Sequence, residues 1–137
     1  MKPVLLDTGC IVALLDRSEA HHEISARAMS DIGFPLVTCE PVIAEACYLL
    51  RKLRGAADAV LDNVGRGVFN IPFRIDQSTP QLRALMKKYA KVPMDLADAC
   101  LVHLSTELGT GHILTLDSDF RIYRWGKNRP FELLVDI

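Results

Sequence analysis

Short apolar runs that end at polar or acidic residues alternate along this chain with segments of helical spacing. Val4-Leu5-Leu6 stops at Asp7, and from Thr8 the residues Ile11, Val12, Leu14 and Leu15 follow a helical repeat that ends at Asp16-Arg17-Ser18. Glu19 to Asp31 carries Ala20, Ile24, Ala28 and Met29 at helical spacing, and the pattern stops at Gly33. Pro35 to Cys39 reads as a second strand, and Pro41 suits the first turn of a helix over Glu40 to Arg54. On that helix Val42, Ile43, Ala46, Leu49, Leu50 and Leu53 form one apolar stripe, which predicts a single buried face closed by Gly55.

Ala56 to Asn63 predicts a further helix, and Val68 to Ile75 an extended segment in which Pro72 marks a sheet edge. Ser78 and Gln81 have capping-box spacing around Pro80, so a helix is expected from there to about Tyr89. Leu96 to Leu108 is apolar nearly all round, which predicts a deeply buried helix ended by Gly109. His112 to Leu116 is a strand that meets Asp117, and Phe131 to Val135 is a last strand. Strands alternating with helices imply an α/β fold with a mostly parallel central sheet flanked by helices. Sites in such sheets lie at the carboxyl ends of the strands, where Asp7 and Asp117 would both stand.

Composition narrows this further. The 137 residues fit one domain, 1–137, and with 50% apolar and 24% charged residues the chain is too rich in core-forming side chains for disorder. Charges interrupt every apolar run well before membrane-spanning length, and Met1-Lys2-Pro3-Val4 leaves no room for a signal-peptide core, so a cytoplasmic protein is expected. The four cysteines form no C-x-x-C pair and are read as reduced core residues. His21, His22, His103 and His112 lack metal-binding spacing and are read as structural or exposed. A net charge of -1 argues against a general nucleic-acid binder, whose domain pI would exceed about 9.

Four carboxylates stand where a core pattern calls for apolar or neutral residues. Asp7 and Asp117 end strands, Glu45 lies at the edge of an apolar stripe, and Asp98 is embedded in Leu96-Ala97-Asp98-Ala99-Cys100-Leu101-Val102. An isolated buried carboxylate costs several kcal/mol or shifts its pKa strongly, so Asp98 calls for compensation. Mg²⁺ and Mn²⁺ supply it, because both prefer oxygen ligands, and an ion held there is suited to phosphodiester hydrolysis. Each residue also has a structural reading. Asp7 suits a helix N-cap, Asp95 and Asp98 a capping pair, Glu45 a solvated position or a partner for Lys52, and Asp117-Ser118-Asp119 a turn.

Taken together, Leu6-Asp7-Thr8, Val42-Ile43-Ala44-Glu45-Ala46, Pro93-Met94-Asp95-Leu96-Ala97-Asp98-Ala99 and Thr115-Leu116-Asp117-Ser118-Asp119-Phe120 resemble, in order and spacing, the PIN-domain ribonucleases and in particular the VapC-type toxins of toxin–antitoxin pairs. The resemblance covers essentially the whole chain. It implies a PIN-like α/β/α sandwich, a Mg²⁺- or Mn²⁺-dependent endoribonuclease acting on RNA, a homodimer, and neutralisation by a small antitoxin. Carried over, the catalytic and metal-binding residues are Asp7, Glu45, Asp98 and Asp117, with Thr8 and Thr115 as polar supports and Asp119 and Asp95 as reserves. One departure is Gly9, at a position where relatives carry a small hydroxyl or amide residue.

Setting the four acids aside as ligands turns the charge of the remaining chain slightly positive. Phosphate-contacting candidates are Arg121, Arg124, Lys127 and Arg129, interleaved with Tyr123 and Trp125 as bases' stacking partners. Other readings are weaker. Asp7-Thr8-Gly9 is also the aspartic-protease triplet, but those enzymes are almost wholly β, and a phosphoryl-accepting Asp lacks its second Asp two residues on. The alternative outside enzymology is a catalytically inactive PIN-like scaffold that binds RNA or protein.

Overall fold

The computed structural model describes residues 3–33 and 35–135. Strand β1 (Val4–Leu6) is fully buried and leads through Asp7 into helix α1 (Thr8–Leu15), which is followed by α2 (His22–Ser30) and β2 (Leu36–Val37). Helices α3 (Glu40–Leu49) and α4 (Ala56–Gly65) precede β3 (Phe69–Asn70), a single turn of 3₁₀ helix at Ile75–Gln77, and α5 (Thr79–Lys88). The long helix α6 (Leu96–Leu108) then leads to β4 (His112–Leu114), a 3₁₀ turn at Ser118–Arg121, the short strands β5 (Arg124–Trp125) and β6 (Arg129–Pro130), and β7 (Glu132–Leu133).

Five strands form one parallel sheet in the order β3-β2-β1-β4-β7, with Leu5 opposite Val37 on one side and Ile113 on the other. Beginning at the centre, the chain builds outward through β2 and β3, then returns to the far side of β1 to lay down β4 and β7. The order therefore reverses between β1 and β4, and the carboxyl ends of those two strands are where such a sheet opens a crevice. Helix α6 owes its place to composition. Its residues from Ala97 to Ser105 are all buried, so it packs as a core element rather than as an amphipathic cover. Gly109, in the left-handed conformation, ends it as expected.

Several local expectations change. Helix α3 ends at Leu49, not Arg54, because residues 50–53 fold into turns in which Leu53 N donates to Leu50 O. Its buried face is Val42, Ile43 and Ala46, while Leu49 (54% exposed) and Leu53 (41%) face outward. Gly55 does not close α3; with φ of 78° it stands at the N-cap of α4. Ser78 makes no side-chain cap bond. It closes the preceding 3₁₀ turn through Ser78 N to Ile75 O and is itself buried, so no capping box forms with Gln81. The expected strand over 68–75 shrinks to Phe69–Asn70, at the sheet edge that Pro72 marked. The antiparallel pair β5–β6 was not anticipated.

Trp125 anchors that hairpin. Its indole N–H donates to Pro130 O at 3.0 Å, and the ring lies against Gly111, where an added Cβ would overlap the indole. Gly111→Ala is therefore expected to cost about 1–3 kcal/mol, as overpacking does. Trp125 is the single tryptophan, so a urea titration read by its fluorescence measures that cost and should also show its environment altered in the folded state. An unchanged midpoint and spectrum would mean that the hairpin yields without cost.

Candidate metal centre

The crevice between β1 and β4 collects acidic groups by construction. Asp7 follows the last residue of β1, Asp117 lies three residues beyond β4, and Asp98 lies in the first turn of α6. One carboxylate oxygen from each of the three lies within 4.8 Å of the others. They share a cavity of about 370 Å³ whose lining also includes Thr8, Gly9, Glu45, Leu49, Asp95 and Leu116. Asp7 and Asp98 are each only 7% exposed, and Asp117 is half-buried.

The two readings of these residues turn out to hold together. Asp7 caps α1 through Thr8 N to Oδ1 at 2.8 Å, while its Oδ2 accepts from Thr115 Oγ1 at 2.7 Å. The same Thr115 oxygen accepts from Asp117 N at 3.0 Å, which ties the two strand ends to one hydroxyl. Asp117 Oδ1 accepts from Asp119 N at 2.9 Å, and Asp98 Oδ2 accepts from Tyr123 Oη at 2.8 Å. All of these donors are neutral. Among the described residues no ion pair involves Asp7, Asp98 or Asp117, so no basic side chain offsets the charge of the cluster.

That charge is costly without a cation. Burial pushes the Asp7 carboxyl up to about 6, against the pull of its bonds from Thr115 and Thr8, and Asp117 and Glu45 add repulsion. Asp98 is raised to about 7, first by burial and then by Asp95, Asp7 and Asp117, with the Tyr123 hydrogen bond opposing. The Tyr123 phenol is pushed upward by its own burial and by Asp98, and stays a protonated donor. The helix N-termini at Asp7 and Asp98 favour negative charge there but do not cancel it.

A hard divalent cation fits this donor set. The ligating atoms are all carboxylate oxygens, as Mg²⁺ and Mn²⁺ require, and the cavity leaves room for water or phosphate oxygens. Thr8 Oγ1, on the same wall, is a buried polar atom with no hydrogen-bond partner among the described residues, a position that an ion-bound water or ligand oxygen would satisfy.

The remaining sequence candidates fall in different places. Glu45 lines the cavity from α3 and is exposed, outside the tight group of three. Asp95 is the N-cap of α6, accepting from Asp98 N at 2.8 Å, and Asp119 contributes its backbone N–H to Asp117. Gly9 lines the wall against Leu116, so the contact that a hydroxyl or amide side chain would make is absent here. All four cysteines are free thiols, three of them buried, and no histidine lines the cavity.

The basic and aromatic candidates are not gathered at this site. Tyr123 is fully buried and touches Asp98, so it cannot stack on a base. Arg124 turns its Nη1 onto the carbonyls of Arg121, Ile122 and Tyr123. Trp125 and Arg129 line a separate, smaller cavity with Gly111 and His112, at the amino end of β4 rather than its carboxyl end. Lys127 is exposed in the hairpin turn.

A family model for the PIN domain matches residues 4–126. The chain belongs to the PIN-domain family. The PIN domain is similar in structure to a solved Mycobacterium tuberculosis protein, VapC20, described as a toxin that cleaves the sarcin–ricin loop. The two share 19% identity with a TM-score of 0.80 over 93% of this chain and 99% of that one. No curated protein sequence matches this PIN domain significantly. The parallel five-stranded sheet and its six helices are thus the expected PIN-like α/β/α sandwich. Among the described residues no helix is long and apolar enough to cross a membrane.

Proposed function

We propose that this PIN domain is a metal-dependent endoribonuclease of the VapC toxin type, hydrolysing RNA phosphodiester bonds with Mg²⁺ or Mn²⁺ held by Asp7, Asp98 and Asp117. The observation that carries this reading is the convergence of three carboxylates, served only by neutral donors, at the point where the strand order reverses. Glu45 is the fourth acidic group of the site, and Thr115 and Thr8 are its polar supports. As a toxin of this type it would act in the cytoplasm as a homodimer and be silenced by a small antitoxin.

When bound, the cation supplies a water of lowered pKa and offsets the charge of the attacked phosphodiester. The protein's own part is to keep the carboxylates in place before the ion arrives. Thr115, just past the end of β4, holds Asp7 Oδ2 across the crevice and Asp117 N on its own segment, so the end of β1 cannot move away from β4 without losing the Asp7 bond. Asp95, as the cap of α6, fixes the first turn that carries Asp98. Glu45, an exposed residue of the cavity lining, is in this reading the carboxylate that takes up the proton released by the attacking water. The inactive-scaffold alternative has no observation in its favour, since every acidic position remains filled.

The test is calorimetric titration of Mn²⁺ into chelator-treated protein beside Asp98→Asn, followed by RNA cleavage on the same samples. The expected result is binding and metal-dependent cleavage in the parent, with both reduced more than about 100-fold in the variant, because loss of an outer-shell partner alone costs 10–100-fold. A parent that binds no Mn²⁺ even with RNA present would leave the carboxylates as caps and favour the scaffold.

A further inference from the structure

Asp98 differs from its two partners in how it is held. Asp7 and Asp117 follow strands of the sheet, and backbone N–H groups bond their side chains directly. Asp98 sits on a helix, with a side chain able to rotate about bonds that the helix does not fix. Among the described residues the side chain that donates to its carboxylate is the Tyr123 phenol, at 2.8 Å.

Tyr123 is itself immobilised. It is fully buried, with its ring edge-on to Phe120 and Tyr89 at centroid distances of 5.0 Å each. Phe120 in turn packs edge-on to Phe131 at 5.3 Å, beside β7. The Tyr89 hydroxyl accepts from Arg124 N at 3.0 Å, which pins the backbone next to Tyr123. The phenol thus reaches Asp98 from a packed aromatic group that spans the end of α5 and the segment after Asp117.

We propose that Tyr123 is a positioning residue for the metal centre, orienting the Asp98 carboxylate toward Asp7 and Asp117 through a neutral hydrogen bond. The choice of donor matters. A lysine or arginine would hold the carboxylate equally well but would neutralise it and compete with the cation, whereas a phenol fixes one oxygen and leaves the full charge. This inference rests on the metal-dependent reading above.

Its test is Mn²⁺ titration of chelator-treated Tyr123→Phe, with Tyr48→Phe, an exposed tyrosine outside the aromatic group and the cavity lining, as the control. The expected result is a Kd weakened about 10–100-fold in Tyr123→Phe, and within twofold of the parent in Tyr48→Phe. A Kd within twofold of the parent in both variants overturns the inference while leaving the metal centre standing. A lower melting temperature with unchanged Kd does the same, since that is what a purely structural tyrosine would give. A parent that binds no metal removes the reading beneath it.

Should Tyr123→Phe fail to fold, the parent supplies the readout. Of the three tyrosines, Tyr48 is exposed and Tyr89 does not contact the site. Adding Mg²⁺ is then expected to give a tyrosine ultraviolet difference band that persists in Tyr48→Phe and in Tyr89→Phe. Absence of any band in a parent that binds the ion overturns the proposal.

Discussion

Asp7→Asn is expected to yield a protein that is more stable than its parent in chelator, yet has lost metal binding and cleavage. The reasoning begins with a carboxyl raised to about 6, chiefly by burial. In the unfolded chain the same group titrates near 3.9, so the folded state binds the proton more tightly. Stability from that preference is complete below the unfolded value and is lost as the pH rises through the folded one. At pH 7 the metal-free fold therefore carries an ionised group that it disfavours. A shift of about two units corresponds to at most ~3 kcal/mol. An amide removes that burden, and its oxygen still accepts from Thr8 N, but its NH₂ meets the Thr115 hydroxyl, so a net gain of about 1–2 kcal/mol is expected. Urea midpoints in chelator at pH 7, Mn²⁺ titration and RNA cleavage together check it. A variant less stable than the parent would show that the Asp7 carboxylate serves the fold first, as a cap, and would count against a site shaped for a cation.

The parts of this molecule that were legible in its sequence are those where burial and chemistry point in opposite directions. Asp7 and Asp117 were visible because each stops an apolar strand, and Asp98 because every near neighbour is apolar. The parallel sheet followed from the alternation of elements, since such strands need helices on both faces. What escaped has physical reasons as well. Nothing in the spacing of Leu49, Leu50 and Leu53 marks the end of α3, because the chain carries no glycine or proline until Gly55, and the turns at 50–53 are held by backbone bonds and by the Arg51 guanidinium on Tyr48 O. The β5–β6 hairpin has strands of two residues, too short for any alternation; its signal was Gly126 and Asn128, both at positive φ, in the intervening turn.

Tyr123 was misread for a related reason. Placed between Arg121, Arg124 and Trp125, it looks like part of an exposed stacking surface. Its real company is Phe120, three residues earlier, which the 3₁₀ turn at Ser118–Arg121 brings onto the same side. Spacing of three between aromatics after an acidic turn is the feature that distinguishes the two cases. Likewise, the apparent contest between cap and metal ligand at Asp7 dissolves once the atoms are separated, because one oxygen caps α1 and the other meets Thr115.

Metal affinity is expected to fall about a thousandfold between pH 8 and pH 5. Asp7 and Asp98, raised to about 6 and about 7, must both lose their protons before the cation can use them. Above pH 8 both are ionised and the apparent Kd is flat. Below about pH 6 nearly two protons are displaced for each ion bound, and the loss accumulated from pH 8 reaches roughly three orders of magnitude by pH 5. Stability shows the same coupling with opposite signs in the two states. Without metal the fold weakens as the pH rises through 6 and 7, while with saturating Mn²⁺ the ion offsets the charge that causes the weakening. The melting-temperature gain on adding Mn²⁺ should accordingly be small at pH 5.5 and several-fold larger at pH 8. Calorimetry across that range, counting protons released per ion, provides the decisive number: between one and two near pH 6, approaching zero at pH 8. A proton count near zero throughout would mean that the buried pair, Asp7 and Asp98, takes no part in holding the ion.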